Sequence, residues 1–192
     1  MTSLILATRN EHKLREMLRL FEAAGISVEG LPGDVELPPE DGVTFAENAL
    51  VKALAAGAAT SRSVIADDSG IEAAALGGAP GVRSARYAGA DAGYEENLHK
   101  LEHEVPCDSR LRYVCALAYV NPETGQERVF FGDCRGRMAP SRAGSNGFGY
   151  DPVFVPDATG DNRTMAELSD AEKDAISHRG HAVRALLRWI RL

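Results

Sequence analysis

"VIADDSG", residues Val64–Gly70, is the stretch on which the fold turns. A β-branched apolar run ends in two adjacent carboxylates, which repel each other and favour water. The preceding "TFAENALVKALAAGAATSR", residues 44–62, has an alanine-rich body that favours helix. Thr44 and Glu47 stand three apart at its start, the spacing of a capping box. A helix therefore delivers the chain into a buried strand, and the strand carries charge at its end.

Toward the N-terminus the alternation continues. "SLILA", residues 3–7, predicts a short buried strand, and "NEHKLREMLRLFEAAG", residues 10–25, a helix. In that helix Leu14, Met17, Leu18 and Phe21 recur at spacings of three and four, and Gly25 is placed to end it. "ISVEGL" reads as a second strand and "PGDVELPPEDG", residues 32–42, as an acidic, proline-rich loop. Beyond the aspartates, "IEAAAL" continues as strand or turn, "GGAPG" is a turn cluster, and "YEENLHKLEHEV" a short helix. "LRYVCALAYVN" and "ERVFFGDCRGRM" flank "PETGQ", a hairpin signal. A glycine-rich loop, "SRAGSNGFGYDP", leads into the short strand "VFV", and residues 169–192 read as largely helical, with Ser169 and Glu172 as a second capping box. This order predicts an α/β protein with a mixed sheet.

The chain has 192 residues, enough for one substantial core that can be divided into two lobes. A net charge of −7 without a basic block argues against a nucleic-acid surface. A small anionic ligand stays open, because a few local cations or a metal can outweigh the average. Three cysteines, Cys107, Cys115 and Cys134, form no metal-binding pattern and read as reduced, small core residues. No apolar run approaches the length of a membrane span, so a cytoplasmic protein is expected.

Four stretches can carry chemistry. "TRNEHK", Thr8–Lys13, joins strand to helix, where backbone N–H groups and a partial positive charge suit phosphate. Thr8 and Asn10 can add donors there and Lys13 a point charge; the plain alternative is a helix cap with Asn10 as N-cap. "ADDSG" offers carboxylates to a hard cation such as Mg²⁺, or a base to deprotonate water. Glu40, Asp41 and Glu47 can complete a metal site. In "GFGYDP" the glycines on both sides of Phe148 let its ring lie against a planar ligand, and Asp151 can accept from a base edge. In "SHRG", with Lys173 four residues earlier, His178 and Arg179 supply donors. Arg184, Arg188 and Arg191 read as a solvated helix face.

The order of these pieces resembles the inosine triphosphate pyrophosphatase, or Ham1-like, family. "ATRNEHKLRE", "EDGVTFAENALVKA", "ADDSGIEAAALGGAPGVRSARYAG", "GFGYDPVF" and "EKDAISHRGHAV" follow one another along nearly the whole chain. The resemblance implies a single ITPase-like domain over residues 1–192, built as an elongated mixed sheet with two α/β lobes flanking a central cleft. It also implies a homodimer and Mg²⁺-dependent hydrolysis of ITP, dITP and XTP to the monophosphate and pyrophosphate. Carried over by position, Thr8, Arg9, Asn10, Glu11, His12 and Lys13 would hold the triphosphate. Asp68 would be the general base and a metal ligand, and Ser69 would contact substrate. Phe148, Gly149, Tyr150 and Asp151 would embrace base and sugar, with Lys173, His178 and Arg179 completing the pocket. Arg9 stands where many members have a small residue. "PPEDG" departs from the two glutamates often found in the acidic loop; Glu40 is the choice for the second metal ligand, with Asp41 as the alternative.

Overall fold

Strand β3 (Val64–Ala73) runs for 10 residues straight through both aspartates. It lies inside a six-stranded sheet with β1 (Leu4–Leu6), β2 (Val28–Gly30), β4 (Arg110–Asn121), β5 (Gln126–Met138) and β6 (Phe154–Pro156), in the order β2-β1-β3-β4-β5-β6. The computed structural model describes residues 3–190; Arg191 lies outside the described residues. β1 pairs in parallel with β2 and β3, whereas β5 and β6 are antiparallel, so the sheet is mixed. β4 and β5 are neighbours joined only by the residues 122–125, a connection short enough to require an antiparallel hairpin.

The helices are α1 (Glu11–Glu22), α2 (Phe45–Thr60), α3 (Tyr94–Glu104), α4 (Asp170–Ile176) and α5 (His178–Ile190). α2 starts with the expected capping box: the Thr44 hydroxyl accepts from the Glu47 N–H, and the Glu47 carboxylate accepts from the Thr44 N–H. Glu47 is thereby engaged as a cap. Ser169 and Glu172 do the same for α4. The C-terminal run, expected to be largely helical, is broken at Ser177, whose ψ of 153° is extended, so it consists of two helices.

The chain divides into two compact units. Unit 1 comprises Met1–Asp68, Cys115–Gly132 and Arg179–Leu192. Its main apolar cluster joins Leu4, Leu6 and Ile65 of the sheet to Met17 and Phe21 of α1 and Val183 and Leu186 of α5. On the opposite face lies α2, whose buried stripe includes Phe45, Ala49, Ala53, Ala56 and Gly57. A Cβ on Gly57 would meet Pro122 at 3.1 Å and Val120 at 3.4 Å, so small residues set how closely α2 approaches β4. Unit 2, Ser69–Val114 and Asp133–His178, packs Leu98 and Leu101 of α3 with Ile71, Leu111, Tyr113, Met138, Tyr150, Phe154 and Leu168. Cys115 and Cys134 are buried as expected, but Cys107 is exposed, because it falls in the turn between α3 and β4.

Candidate active site

Unit 1 places a helix N-terminus beside the aspartates. Asn10 caps α1, its side-chain oxygen accepting from the N–H groups of His12 (3.0 Å) and Lys13 (3.1 Å). The Thr8 hydroxyl accepts from the Asn10 N–H, which fixes the turn out of β1. Glu11 is exposed in the first turn, and the His12 Nδ1 is 2.9 Å from the Arg15 guanidinium. Arg9 has a different set of partners. Its guanidinium donates to the carbonyls of Leu31, Pro32, Gly33 and Val35, so it fastens the proline-rich loop to the start of the helix.

Successive strand residues point to opposite faces, and β3 sorts its aspartates accordingly. Asp67 shares the parity of Ile65 and meets the cations of α1 and α5: Lys13 Nζ at 3.1 Å and Arg179 Nε at 3.5 Å. It is fully buried. Burial opposes its charge, but Lys13, Arg179 and Lys52 outweigh that and hold the carboxyl well below the usual carboxylate range. Burial likewise opposes the Lys13 ammonium, but Asp67, Asp68 and Glu40 together outweigh it and the repulsion of Arg179, leaving its pKa raised. Arg179 also pairs with Glu16, a buried carboxylate one turn beyond Lys13.

Asp68 turns toward α2 and accepts from the Asn48 side-chain amide at 2.9 Å. Its pKa is raised, first by burial and further by the neighbouring charge of Glu40, against the pull of Lys13 and Lys52. Lys52 of α2 pairs with Glu40 and donates to the Asp67 carbonyl at 2.7 Å. Asp41 and Glu47 are exposed, and Glu47 is engaged in its cap.

Four carboxylates (Glu16, Glu40, Asp67, Asp68) thus meet three cations (Lys13, Lys52, Arg179), leaving one negative charge in excess within this cluster. The excess sits where Asp68 and Glu40 face each other's charge, a donor set suited to a hard divalent cation. Among the described residues no three His, Cys, Asp or Glu side chains converge on one point. Two carboxylates with the remaining positions left to water or phosphate oxygens fit Mg²⁺, which dehydrates reluctantly.

Unit 2 carries the aromatic loop. Gly147 and Gly149 have φ of +74° and +65°, a conformation natural to glycine, and they bend the chain around Phe148. The half-buried Phe148 ring lies 5.6 Å from the Tyr94 ring at the start of α3. Lys173 Nζ is 5.2 Å from the Phe148 ring centroid. Asp151 is engaged inside the unit: it accepts from Lys173 (2.6 Å), the Phe148 N–H (2.9 Å) and the Tyr113 hydroxyl (3.1 Å). A Cβ on Gly147 would strike the Asp151 carboxylate at 2.0 Å. The pair Asp151–Lys173 therefore shapes the loop that presents Phe148, a role the sequence reading, with Asp151 facing a base edge, did not contain. Tyr150 anchors the same loop by donating from its hydroxyl to the Ser84 carbonyl at 2.7 Å.

Ser69 is half-buried on β3, the first residue of unit 2. His178, the last residue of unit 2, stacks on Tyr113 with ring centroids 4.7 Å apart and an interplanar angle of 8°. Arg179, next in the chain, belongs to unit 1, and its guanidinium lies in the cluster with Glu16 and Asp67. The two donors that the sequence places side by side thus have separate surroundings.

With this geometry in place, the sequence profile of the Ham1 family matches residues 4–189. The chain belongs to the Ham1 family. A dITP/XTP pyrophosphatase from Cutibacterium acnes is 47% identical over 195 residues, covering 97% of this chain and 95% of that protein. One from Mycobacterium tuberculosis is 48% identical over 201 residues, covering 99% and 96%. The structure of a HAM1 protein from Coxiella burnetii matches with a TM-score of 0.85 at 38% identity, over 100% of this chain and 99% of that one. A nucleoside-triphosphatase, or dITP/XTP pyrophosphatase, from Mycobacterium abscessus matches with a TM-score of 0.72 at 42% identity, over 98% and 99%.

In this Ham1-family chain several residues around the motifs escaped the sequence reading: Glu16, Asn48, Lys52, Ser84 and Tyr113. One signal was available. Asn48 and Lys52 are four apart on α2, on the stripe otherwise filled by phenylalanine, alanine and glycine, so they share its buried face.

Proposed function

We propose that the chain hydrolyses nucleoside triphosphates bearing non-standard purines (ITP, dITP and XTP) to the monophosphate and pyrophosphate. The observation that carries this is the sorting of the aspartates on β3. Asp67 is locked among cations, whereas Asp68 keeps a raised proton affinity beside Glu40. Asp68 takes a proton from a water that attacks the α-phosphorus. The bond from that phosphorus to the bridging oxygen breaks, and its electron pair leaves on pyrophosphate. Lys13, held by Asp67 at the start of α1, supplies positive charge for the triphosphate. Asp68 and Glu40 would hold Mg²⁺, which when bound neutralises charge on the phosphates.

In unit 2 the Phe148 ring offers a stacking face, worth about 1–3 kcal/mol per base. Hypoxanthine and xanthine present an oxygen at position 6, whereas adenine presents an amino donor there. A donor from His178 or Arg179 aimed at that oxygen loses its partner when adenine binds, at about 1–3 kcal/mol for each unmatched polar group. The same reading carries a homodimer acting in the cytoplasm. Among the described residues no helix is long and apolar enough to cross a membrane.

The test is pyrophosphate release from a panel of nucleoside triphosphates, with Mg²⁺ and with chelator. ITP, dITP and XTP turn over, ATP does so far more slowly, and chelator abolishes release. Asp68→Asn lowers kcat by at least about a hundredfold, the lower end of what a positioned base contributes, with an unchanged circular-dichroism spectrum. Near-normal turnover of that variant, or equal turnover of ATP and ITP, contradicts the assignment.

A further inference from the structure

We propose that Asn48 is the positioning residue that sets Asp68 against the acidic loop carrying Glu40, so that the two carboxylates can act on one cation. The inference rests on the reading of Asp68 and Glu40 as metal ligands. Asn48 is buried in α2, on the stripe that also carries Phe45, Ala49, Lys52 and Ala53. Its amide bridges the acidic loop that precedes α2 and the strand β3 that follows it. The Gly42 N–H donates to Asn48 Oδ1 at 2.8 Å, and Asn48 Nδ2 donates to Asp68 Oδ2 at 2.9 Å. The backbone N–H can only donate, so it dictates which end of the amide faces it. The NH₂ end is thereby committed to the Asp68 carboxylate.

The loop end of the bridge is equally constrained. A Cβ on Gly42 would stand 2.6 Å from Asn48 Oδ1 and 3.0 Å from Glu47 Cβ, so the loop approaches α2 as closely as its backbone allows. Gly42 is two residues from Glu40, and Lys52, one turn along α2 from Asn48, holds the Glu40 carboxylate. The loop is therefore tied to α2 at two points. Asn48 also bonds the Asp68 carboxylate, whereas Lys52 also donates to the Asp67 carbonyl. A buried amide satisfied at both ends is costly to misplace, because each partner is left unmatched when it moves.

The experiment uses the full chain with Mn²⁺ as the probe. Free Mn²⁺ is followed by electron paramagnetic resonance during titration of wild type, Asn48→Ala, Gly42→Ala and Asp68→Asn, all without nucleotide. Asn48→Ala is expected to weaken Mn²⁺ binding on the order of tenfold or more, the usual effect of removing a group that orients a ligand. At saturating Mg²⁺ it lowers kcat with little change in KM for the triphosphate, a split that loss of packing alone does not produce. Gly42→Ala pushes on the bridge without touching Asp68 and shows the same weakening. It serves as the deciding variant where Asn48→Ala does not fold. Wild-type Mn²⁺ affinity in Asn48→Ala (or, if that does not fold, in Gly42→Ala), with affinity lost in Asp68→Asn, overturns the role of Asn48 alone. Wild-type affinity in Asp68→Asn as well overturns the metal reading and this inference together.

Discussion

Asp151 shows how one buried carboxylate can be structural in a stretch that reads as a binding motif. It and Lys173 are 4% and 5% exposed, and each is the other's ion-pair partner. Replacing a buried pair with apolar groups is often harmless, but removing one member strands a charge, at about 3–5 kcal/mol. Asp151→Asn should therefore destabilise the protein by about that amount in urea unfolding. Adding Lys173→Met should recover part of the loss; a double variant no more stable than Asp151→Asn would show that the pair is not the source. At this scale Asp68 was legible, because an acidic dipeptide ending an apolar strand is anomalous as structure. Asn48, Lys52 and Glu16 were not. A polar residue on a helix reads as solvated until the neighbouring layer is known, and Glu16 pairs with Arg179, far along the chain.

At the scale of elements, periodicity and caps carried the reading well. The apolar spacing of α1, the capping boxes of α2 and α4 and the hairpin around "PETGQ" are local signals, and they appear where local physics puts them. The break at Ser177 was not legible, because the poorest helix former in "DAISHRGHA" is Gly180, which lies inside α5 and not at the break. The division falls between His178, stacked on Tyr113, and Arg179, paired with Glu16, and those contacts are tertiary. β3 is held by close approach as much as by pairing. A Cβ on Gly70 would meet Ser84 Oγ at 2.4 Å and the Gly81 carbonyl at 2.5 Å. Ser84 in turn accepts from the Ile71 N–H. Gly70→Ala should cost about 1–3 kcal/mol through overpacking, read from the denaturant midpoint. Gly33→Ala, where a Cβ meets nothing within 4 Å, should stay within about 0.5 kcal/mol of wild type. Equal effects would refute the steric account.

At the scale of the whole molecule, pH links the buried groups to stability. Burial pushes the thiols of Cys115 and Cys134 from an ordinary 9.0 up to about 12. Between those values the unfolded chain releases thiol protons that the folded chain keeps, so the native state binds more protons and stability falls as pH rises. Below about 9 the contribution is fully present; above it, each thiol removes up to about 1.4 kcal/mol per pH unit. Chemical denaturation across this alkaline range should show the decline, and Cys115→Ala with Cys134→Ala should flatten it. An unchanged slope in the double variant would assign the decline elsewhere. The mixed α/β character was legible from the order of elements, whereas the bounds of the two units were not, since they depend on which segments share a core.

The straight run of β3 makes the two aspartates a matter of reading frame. Loss of Ala66 would shift each following side chain by one place, moving Asp68 into the position that faces Lys13 and Arg179 and Ser69 into the position that faces Asn48. The buried cations would still find a carboxylate, while the proposed catalytic position would hold a hydroxyl. A single-codon deletion would keep the strand's two carboxylates, yet take the carboxylate out of the position that faces Asn48. Between Val64 and Asp68 the number of residues therefore matters as well as their identity.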